Sequence, residues 1–481
     1  MSAPMGAGIV KQTGLWLGPV LAAGLVIAGP PAGLDGSAWG VAALLAWMAV
    51  WWATEAIPIP ATSLLPLVFI PVLGAGSPGQ AAAGYSSPIV LLLLGGFIIA
   101  LGIERWGLHR RIALAIVSAL GGGQRGLVFG FMAATALLSM WISNTATTLM
   151  MVPIALSAAA ALGGEDDRFT LALLLGVCYA ASIGGVATPI GTPTNLIAIQ
   201  WLEANADATI GYAQWMAFGV PALVGLIPVA WWSVTRGLAP RSDAEEAHAE
   251  VRRQRAVLGA ITAPETRAAI VFGIVALCWV ARVPVQAATS EAGIGWIGRV
   301  SDMGIAVAGA IAMFLVPAGG AARRTLLTWE EAVKLPWGVL VLFGGGISLG
   351  QAITRTGLSA WIGDQLAALS TLPPIVFVAA VVLLVIFLTE LTSNVATMTT
   401  LSPILGALAT AIGAAPESML GPAAVAASCA FMLPVATAPN AIIYATDRVP
   451  VSAMMRAGVR VNIIGAAIIT VVGYFIAPLV L

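Results

Sequence analysis

The chain has 481 residues, of which 59% are hydrophobic and 9% charged, against roughly 25% charged in a soluble domain. Mean hydropathy is +0.98, and the 21 basic residues balance the 21 acidic ones. So few charges cannot cover a water-soluble surface of this size, and a net charge of zero provides no basic field for nucleic acid. A cytosolic enzyme, a nucleic-acid binder and a disordered chain are excluded, and a polytopic protein of the lipid bilayer remains.

Spans of about 20 apolar residues are predicted near 13–30, 37–55, 60–75, 88–104, 126–162, 169–202, 210–235, 268–283, 302–318, 335–354, 373–411, 418–446 and 459–480. All are read as helices, because barrel strands would be shorter and would alternate. The first run follows Lys11 without a small-residue cleavage site, so it is read as a retained span and not as a signal peptide. Cys178, Cys278 and Cys429 lie in apolar segments and read as small core residues. With no CxxC or HExxH, and with His109 and His248 beside charged stretches, a zinc site is not expected.

Residues 236–267 form the one long polar stretch, with Arg236, Arg241, Arg252, Arg253, Arg255 and Arg267 among Glu245, Glu246 and Glu250. It reads as a linker between two halves, and its arginines place it in the cytoplasm. Arg323, Arg324 and Lys334 suggest the same side for their loop, as do Arg448, Arg456 and Arg460 for theirs.

The halves repeat at a shift of 250 residues (393 minus 143). Gly95-Gly96 meets Gly345-Gly346, Arg105 meets Arg355, and Gly107-Leu108 meets Gly357-Leu358. Ser143-Asn144 meets Ser393-Asn394, Ala146-Thr147 meets Ala396-Thr397, and Pro153-Ile154 meets Pro403-Ile404. Small apolar matches arise by chance in such a composition. An Arg, a Ser-Asn pair and a Pro at one shift do not, and an internal repeat of this kind marks secondary transporters. A cytoplasmic linker and an odd number of crossings per half make the repeats inverted. The expected organisation is a first helix and N-terminal tail over 1–36, a first repeat over 37–235, the linker over 236–267 and a second repeat over 268–481.

Each half carries a polar island inside an apolar run too long for one span. The first runs from Ser139 through Ser143-Asn144-Thr145 to Thr148, within 126–162. The second runs from Thr389-Glu390 through Thr392-Ser393-Asn394-Val395 to Thr397, within 373–411. Each reads as a re-entrant hairpin, whose bend frees backbone groups that protein, water or ligand must satisfy. One such motif alone is equally a helix cap or an interhelical hydrogen bond; two at matched positions favour a shared site. A further island follows each hairpin: Ser182 to Asn195, containing Thr188-Pro189-Ile-Gly191-Thr192-Pro193-Thr194-Asn195, and Pro434 to Asn440, containing Ala436-Thr437-Ala438-Pro439. Asn195 meets Asn440 at a shift of 245 (440 minus 195). Beyond a plain proline kink, these read as discontinuous helices whose half-helix ends face a midplane site.

Half-helix N-termini suit carboxylate or sulfate, and unwound carbonyls with Ser and Asn oxygens suit a hard cation such as sodium. No Lys or Arg lies within the islands, so an anion would need co-bound cations, which predicts cation-coupled anion transport and not a channel lined by basic side chains. Glu390, the one acid of the islands, reads as hydrogen-bonded to exposed backbone at a hairpin base in preference to a proton relay, since it would repel a substrate anion. Glu55 reads as interfacial. An intramembrane enzyme finds no support, for no nucleophile–base pair or His cluster occurs.

At these residues the chain resembles the divalent anion/sodium symporter family over nearly its whole length. The resemblance rests on Thr54-Glu-Ala-Ile-Pro-Ile-Pro60, both Ser-Asn motifs, Gly191-Thr-Pro-Thr-Asn195 and Ser428-Cys-Ala-Phe431-Met-Leu-Pro434-Val-Ala436-Thr-Ala-Pro-Asn440. It implies an all-α polytopic membrane protein, a homodimer whose protomers have two inverted repeats, about eleven transmembrane helices and two re-entrant hairpins, with a transport domain moving as an elevator against a scaffold. It implies a first sodium ion at Ser139, Ser143, Asn144 and Gly191, and a second at Thr389, Thr392, Asn394 and Ala436. Substrate carboxylates are implied at Ser143, Asn144, Thr145, Ser393, Asn394 and Val395, with Thr437 nearby. Val395 stands where the motif often has Thr, and Thr194 and Ala438 stand where proline is frequent, which bears on substrate choice. The expected activity is sodium-coupled symport of a C4 dicarboxylate such as succinate, malate or fumarate across the inner membrane. A sodium-independent dicarboxylate or 2-oxoglutarate exchanger, and a citrate or sulfate carrier, stay open as alternatives.

Overall fold

In hydrocarbon an unpaired backbone group costs several kcal/mol, so a chain of this composition closes its hydrogen bonds within helices. The computed structural model describes residues 5–120, 123–162, 167–206, 210–238, 244–291, 297–319, 324–366 and 373–481. The described residues are helical apart from short connections and one isolated bridge, Pro317 to Thr325. Arg241 and Arg323 lie outside the described residues. Nine of the described helical segments are long and apolar enough to cross a membrane.

The order along the chain follows the predicted spans, with instructive differences. Met5–Ala28 and Gly36–Thr54 pack together. The span expected over 60–75 is two pieces, Ile59–Thr62 and Leu65–Val72, because Pro66 starts the second piece and lacks the N–H that would continue the first. Pro88–Arg105 follows. Ala263–Glu291 extends beyond 268–283 at both ends, so Glu265 and Arg267, read as linker, lie in its first turns. Asp302–Leu315 and Trp337–Arg355 complete this group. The last long helix, Val451–Phe475, begins before the expected 459 and takes in Arg456 and Arg460; Arg460 reaches the Ser233 carbonyl at 3.3 Å.

Each expected hairpin is a helix, a four-residue break and a second helix. The first is Gly123–Ser139 and Asn144–Ala161, and both arms pack on Asp167–Gly185. The second is Pro374–Thr389 and Asn394–Ala411, and both arms pack on Glu417–Ala427. The helices after the hairpins are interrupted as read. Asp167–Gly185 resumes as Pro193–Asn205, and Glu417–Ala427 resumes as Ala438–Tyr444. Tyr212–Thr235 and Val451–Phe475 pack against each other beside them.

Two short helices tie the groups. Arg105 and Arg355 each end a long helix, and Gly107 (φ 69°) and Gly357 (φ 77°) then turn the chain through the left-handed region open to glycine. Leu108–Ala119 follows the first turn and packs on the first hairpin; Leu358–Leu366 follows the second and packs on the second hairpin. Within the linker, Glu245–Val257 buries Ala247, His248 and Val251 against Leu108–Ala119 and Asn144–Ala161. Arg111 pairs with Glu265 (2.9 Å) and donates to the carbonyls of Gly259 (2.9 Å), Leu258 (3.2 Å) and Ala260 (3.3 Å). The linker is therefore fastened to the bundle and not a free tether.

Apolar contact is no driving force between helices in lipid, so packing and polar closure hold the groups together. One contact of this kind lies beside the first hairpin's break. Arg282 clasps Asp302 (2.5 and 3.1 Å), and Asp302 also accepts the backbone N–H of Tyr212 at 2.9 Å. The Tyr212 ring stacks on Trp279, centroids 4.4 Å apart, with Trp141 of the break stacked beyond them.

Candidate functional site at the helix breaks

The first break is built by Asn144. Ser139, fully buried at the end of its helix, donates to Asn144 Oδ1 at 2.7 Å. Ser143 caps the next helix by accepting the Ala146 N–H at 3.2 Å, the expected use of a serine at that position. Thr188 reaches across to donate to the Met140 carbonyl and accepts the Gly191 N–H at 3.2 Å. Gly185 must be glycine here: a Cβ would stand 2.6 Å from Asn144 Oδ1. Asn195 closes the loop from behind, giving its amide to the carbonyls of Gly185 (2.9 Å) and Thr188 (2.7 Å).

The second break repeats this. Thr389 donates to Asn394 Oδ1 at 2.7 Å, in the place of Ser139, and reaches the Ala427 carbonyl at 2.9 Å. Asn440 gives its amide to the carbonyls of Ala430 (2.9 Å) and Leu433 (2.8 Å). These acceptors lie ten and seven residues before it, as Gly185 and Thr188 lie before Asn195. Thr392 shares a hydrogen bond with Thr397 at 2.6 Å.

The support behind the second break differs. Glu390 is buried and accepts the backbone N–H groups of Phe431 (2.7 Å), Met432 (2.9 Å) and Leu433 (3.1 Å), with the Asn462 amide at 2.8 Å. This agrees with the reading of Glu390 as a backbone acceptor at the hairpin base. Asn462 and Tyr179, whose hydroxyl donates to the Phe431 carbonyl at 2.8 Å, are supports that sequence reasoning missed. Each is an isolated polar residue in an apolar run, and only the folded contacts give it a role.

Both breaks open on one cavity of about 1060 Å³. Its wall includes Ser143, Asn144, Thr145 and Gly191 from the first half, and Thr392, Ser393, Asn394, Val395, Ala436 and Thr437 from the second. Ser139 and Thr389 stand behind this wall, touching it through the two asparagines. Thr194 is fully buried and does not line the cavity, whereas Ala438 does. The wall also carries Lys11 and Glu55, paired at 3.5 Å, with Glu104 and Lys334. Arg105, next to Glu104, pairs with Glu331 at 2.6 Å, and the neighbouring Trp106 donates to the Leu326 carbonyl at 2.8 Å.

Four helices begin at this wall: Asn144–Ala161, Pro193–Asn205, Asn394–Ala411 and Ala438–Tyr444. Helix N-termini are partially positive; Ser143 takes the Ala146 N–H and Thr437 the Asn440 N–H, and the uncapped N–H groups remain as donors. The asparagine and hydroxyl oxygens with the unwound carbonyls are the hard donors that alkali and alkaline-earth cations take. An anion and small cations are thus offered complementary groups within one chamber, with neither Lys nor Arg at the tips.

A model of the sodium:sulfate symporter transmembrane region matches residues 12–481. The chain belongs to this symporter family. The resemblance read from the motifs is to the same group, the divalent anion/sodium symporters. Among its curated relatives, the sodium-dependent dicarboxylate transporter SdcS of Staphylococcus saprophyticus is 39% identical, covering 98% of this chain and 92% of that one. SdcS of Staphylococcus aureus is 38% identical, covering 99% and 93%. Solved structures with the same fold include the Alcanivorax borkumensis YdaH transporter (TM-score 0.60, 16% identity, 98% of each chain). Neisseria gonorrhoeae MtrF, described with a class of antimetabolite efflux pumps, follows (TM-score 0.59, 16% identity, 94% and 97%). At such identity these two speak to the symporter's fold alone.

Proposed function

We propose that this symporter carries C4 dicarboxylates (succinate, malate or fumarate) together with sodium, as a secondary active transporter of the inner membrane. The observation that carries the reading is the chamber itself: four helix N-termini and two asparagine tips on one cavity, with neither Lys nor Arg at the tips. The names of the SdcS relatives support the choice of dicarboxylate and of sodium.

Sodium ions occupy two cradles. The first uses Ser139, Ser143, Asn144 and Gly191, and the second uses Thr389, Thr392, Asn394 and Ala436. Their charge offsets that of the dianion, which lies between Ser143-Asn144-Thr145 and Ser393-Asn394-Val395 with Thr437 beside it. The matched hydrogen bonds at shifts of 250 and 245 support two repeats, over 37–235 and 268–481, and the arginine content of 236–267 supports an inverted arrangement with the linker in the cytoplasm. The group bearing the hairpins moves as an elevator against the remaining helices, and protomers pair as a homodimer through the group that stays still.

The test is uptake of radiolabelled succinate into proteoliposomes with and without an inward sodium gradient. Accumulation with the gradient and none without it supports the proposal. Equal uptake in both overturns the coupling, and uptake that needs internal dicarboxylate but no sodium identifies an exchanger.

A further inference from the structure

The two breaks also meet away from the cavity. Thr194, near the start of Pro193–Asn205, and Ser428, just after Glu417–Ala427, are fully buried, and their hydroxyls lie 2.9 Å apart. Neither lines the cavity. Each is one step from a tip. Asn195, next to Thr194, holds the Gly185 carbonyl at 2.9 Å, and Gly185 lies directly against the Asn144 amide. On the other side, the Thr389 hydroxyl lies 2.9 Å from the carbonyl of Ala427, next to Ser428, and 2.7 Å from Asn394 Oδ1, and its one hydrogen is shared between them. A continuous buried path therefore runs from Asn144 to Asn394, and the Thr194–Ser428 bond is its bridge between the halves. Two further buried polar links join these regions: Cys178 to Asn440 at 2.8 Å, through a thiol, a weak donor, and Tyr179 to the Phe431 carbonyl at 2.8 Å, which reaches the Glu390 side of the second break and neither asparagine tip.

We infer that the Thr194–Ser428 hydrogen bond couples the two sodium cradles, so that an ion in one pre-orders the tip of the other. The pair positions and does not bind: it touches neither ion nor substrate. The inference rests on the sodium reading above and adds to it the source of cooperativity between the ions. Such coupling is reciprocal, and a packed path warrants it only if breaking the path changes it. One neutral hydrogen bond corresponds to about fivefold in an equilibrium.

The experiment measures succinate uptake against external sodium for wild type, Thr194→Val, Thr194→Ser, Ser428→Ala and the double variant. Sodium-induced rises in melting temperature are recorded on the same preparations. Thr194→Val and Ser428→Ala are expected to raise the half-saturating sodium concentration about fivefold and to lower the Hill coefficient toward unity. Uptake at saturating sodium stays within about twofold of wild type. Thr194→Ser keeps the wild-type curve, and the double variant is no worse than either single one. Sodium dependence in wild type with unchanged curves in Thr194→Val and Ser428→Ala overturns the inference. So does a Thr194→Ser curve as impaired as that of Thr194→Val, because the effect would then be one of packing. If Thr194→Val does not fold, Ser428→Ala carries the same comparison. Wild-type uptake indifferent to sodium removes the transport reading and the coupling with it, an outcome distinct from a failure of the pair alone.

Discussion

The two halves build the same bend by different chemistry. At the first tip the support is neutral: the Thr188 hydroxyl on the Met140 carbonyl, and the Trp215 indole on the Val186 carbonyl at 3.1 Å. At the second, Glu390 stands where the repeat has Met140, and one carboxylate gathers three backbone N–H groups and the Asn462 amide. The tips differ too. Ser143 caps its own helix, whereas Ser393 makes no such bond, and Thr145 is matched by Val395. What both tips keep is the hydroxyl-to-asparagine bond at 2.7 Å. The orientation of that asparagine is therefore what the repeat preserves, and the scaffolding behind it was free to diverge.

Four predictions sharpen this comparison. The largest effect is expected for Asn144→Ala and Asn394→Ala. Each removes a cavity-facing amide whose Oδ1 is already aligned, so each should reduce sodium-dependent succinate uptake to background. Near wild-type transport by both would remove the site assignment. Next is stability: Glu390→Ala strands three buried N–H groups and is expected to cost about 3–5 kcal/mol, whereas Met140→Leu at the matched position should cost under about 1.5 kcal/mol. Melting temperatures of the purified proteins check this, and similar losses at the two positions would contradict the contrast in support.

A smaller effect separates the tips toward substrate. Thr145→Val removes a hydroxyl from the cavity wall and is expected to raise the succinate KM about tenfold, the loss of a hydrogen bond to a charged group. Val395→Thr adds one at the matched place and should lower KM by a few-fold. Opposite signs in the two variants are the outcome to look for. The smallest lies at Glu331, which pairs with Arg105 and Arg324. Burial pushes the Glu331 carboxyl up, but the Thr328 N–H, Arg324 and Arg105 more than offset it and hold its pKa below the usual glutamate value. A depressed folded pKa contributes stability above the unfolded value of about 4.3, and that stability is lost as pH falls through the folded value. Glu331→Gln should therefore lower the melting temperature at neutral pH, where the ionised carboxylate contributes, and converge on wild type as pH falls, so that the acid limb of its profile is flatter.

Much of this architecture was legible in the amino acids because lipid permits few solutions. Two polar islands at matched positions inside apolar runs favour bends over helix caps, and Pro189, Pro193, Pro434 and Pro439 mark the interruptions. Leu108–Ala119 and Leu358–Leu366 escaped notice: they are too short to span, and hydropathy does not register a helix that packs beside the bundle. The last long helix starts before the expected 459: Arg456 reads as loop, yet it lies in the second turn of that helix. Asn195 and Asn440 stood out as a matched pair, but their shared task of holding two carbonyls is visible only in the fold. Thr194 was read with substrate choice, and its burial against Ser428 gives it a different place.

The central claim is that one dianion is held by both tips at once. It is tested most directly by placing single cysteines at Thr145 and at Val395, both on the cavity wall, in a background with the exposed Cys278 replaced by serine. Their rates of modification by a thiol reagent are then followed. Succinate with sodium should protect both cysteines, and succinate without sodium should protect neither. Protection of one cysteine alone, or of both without sodium, would contradict a shared, cation-dependent site.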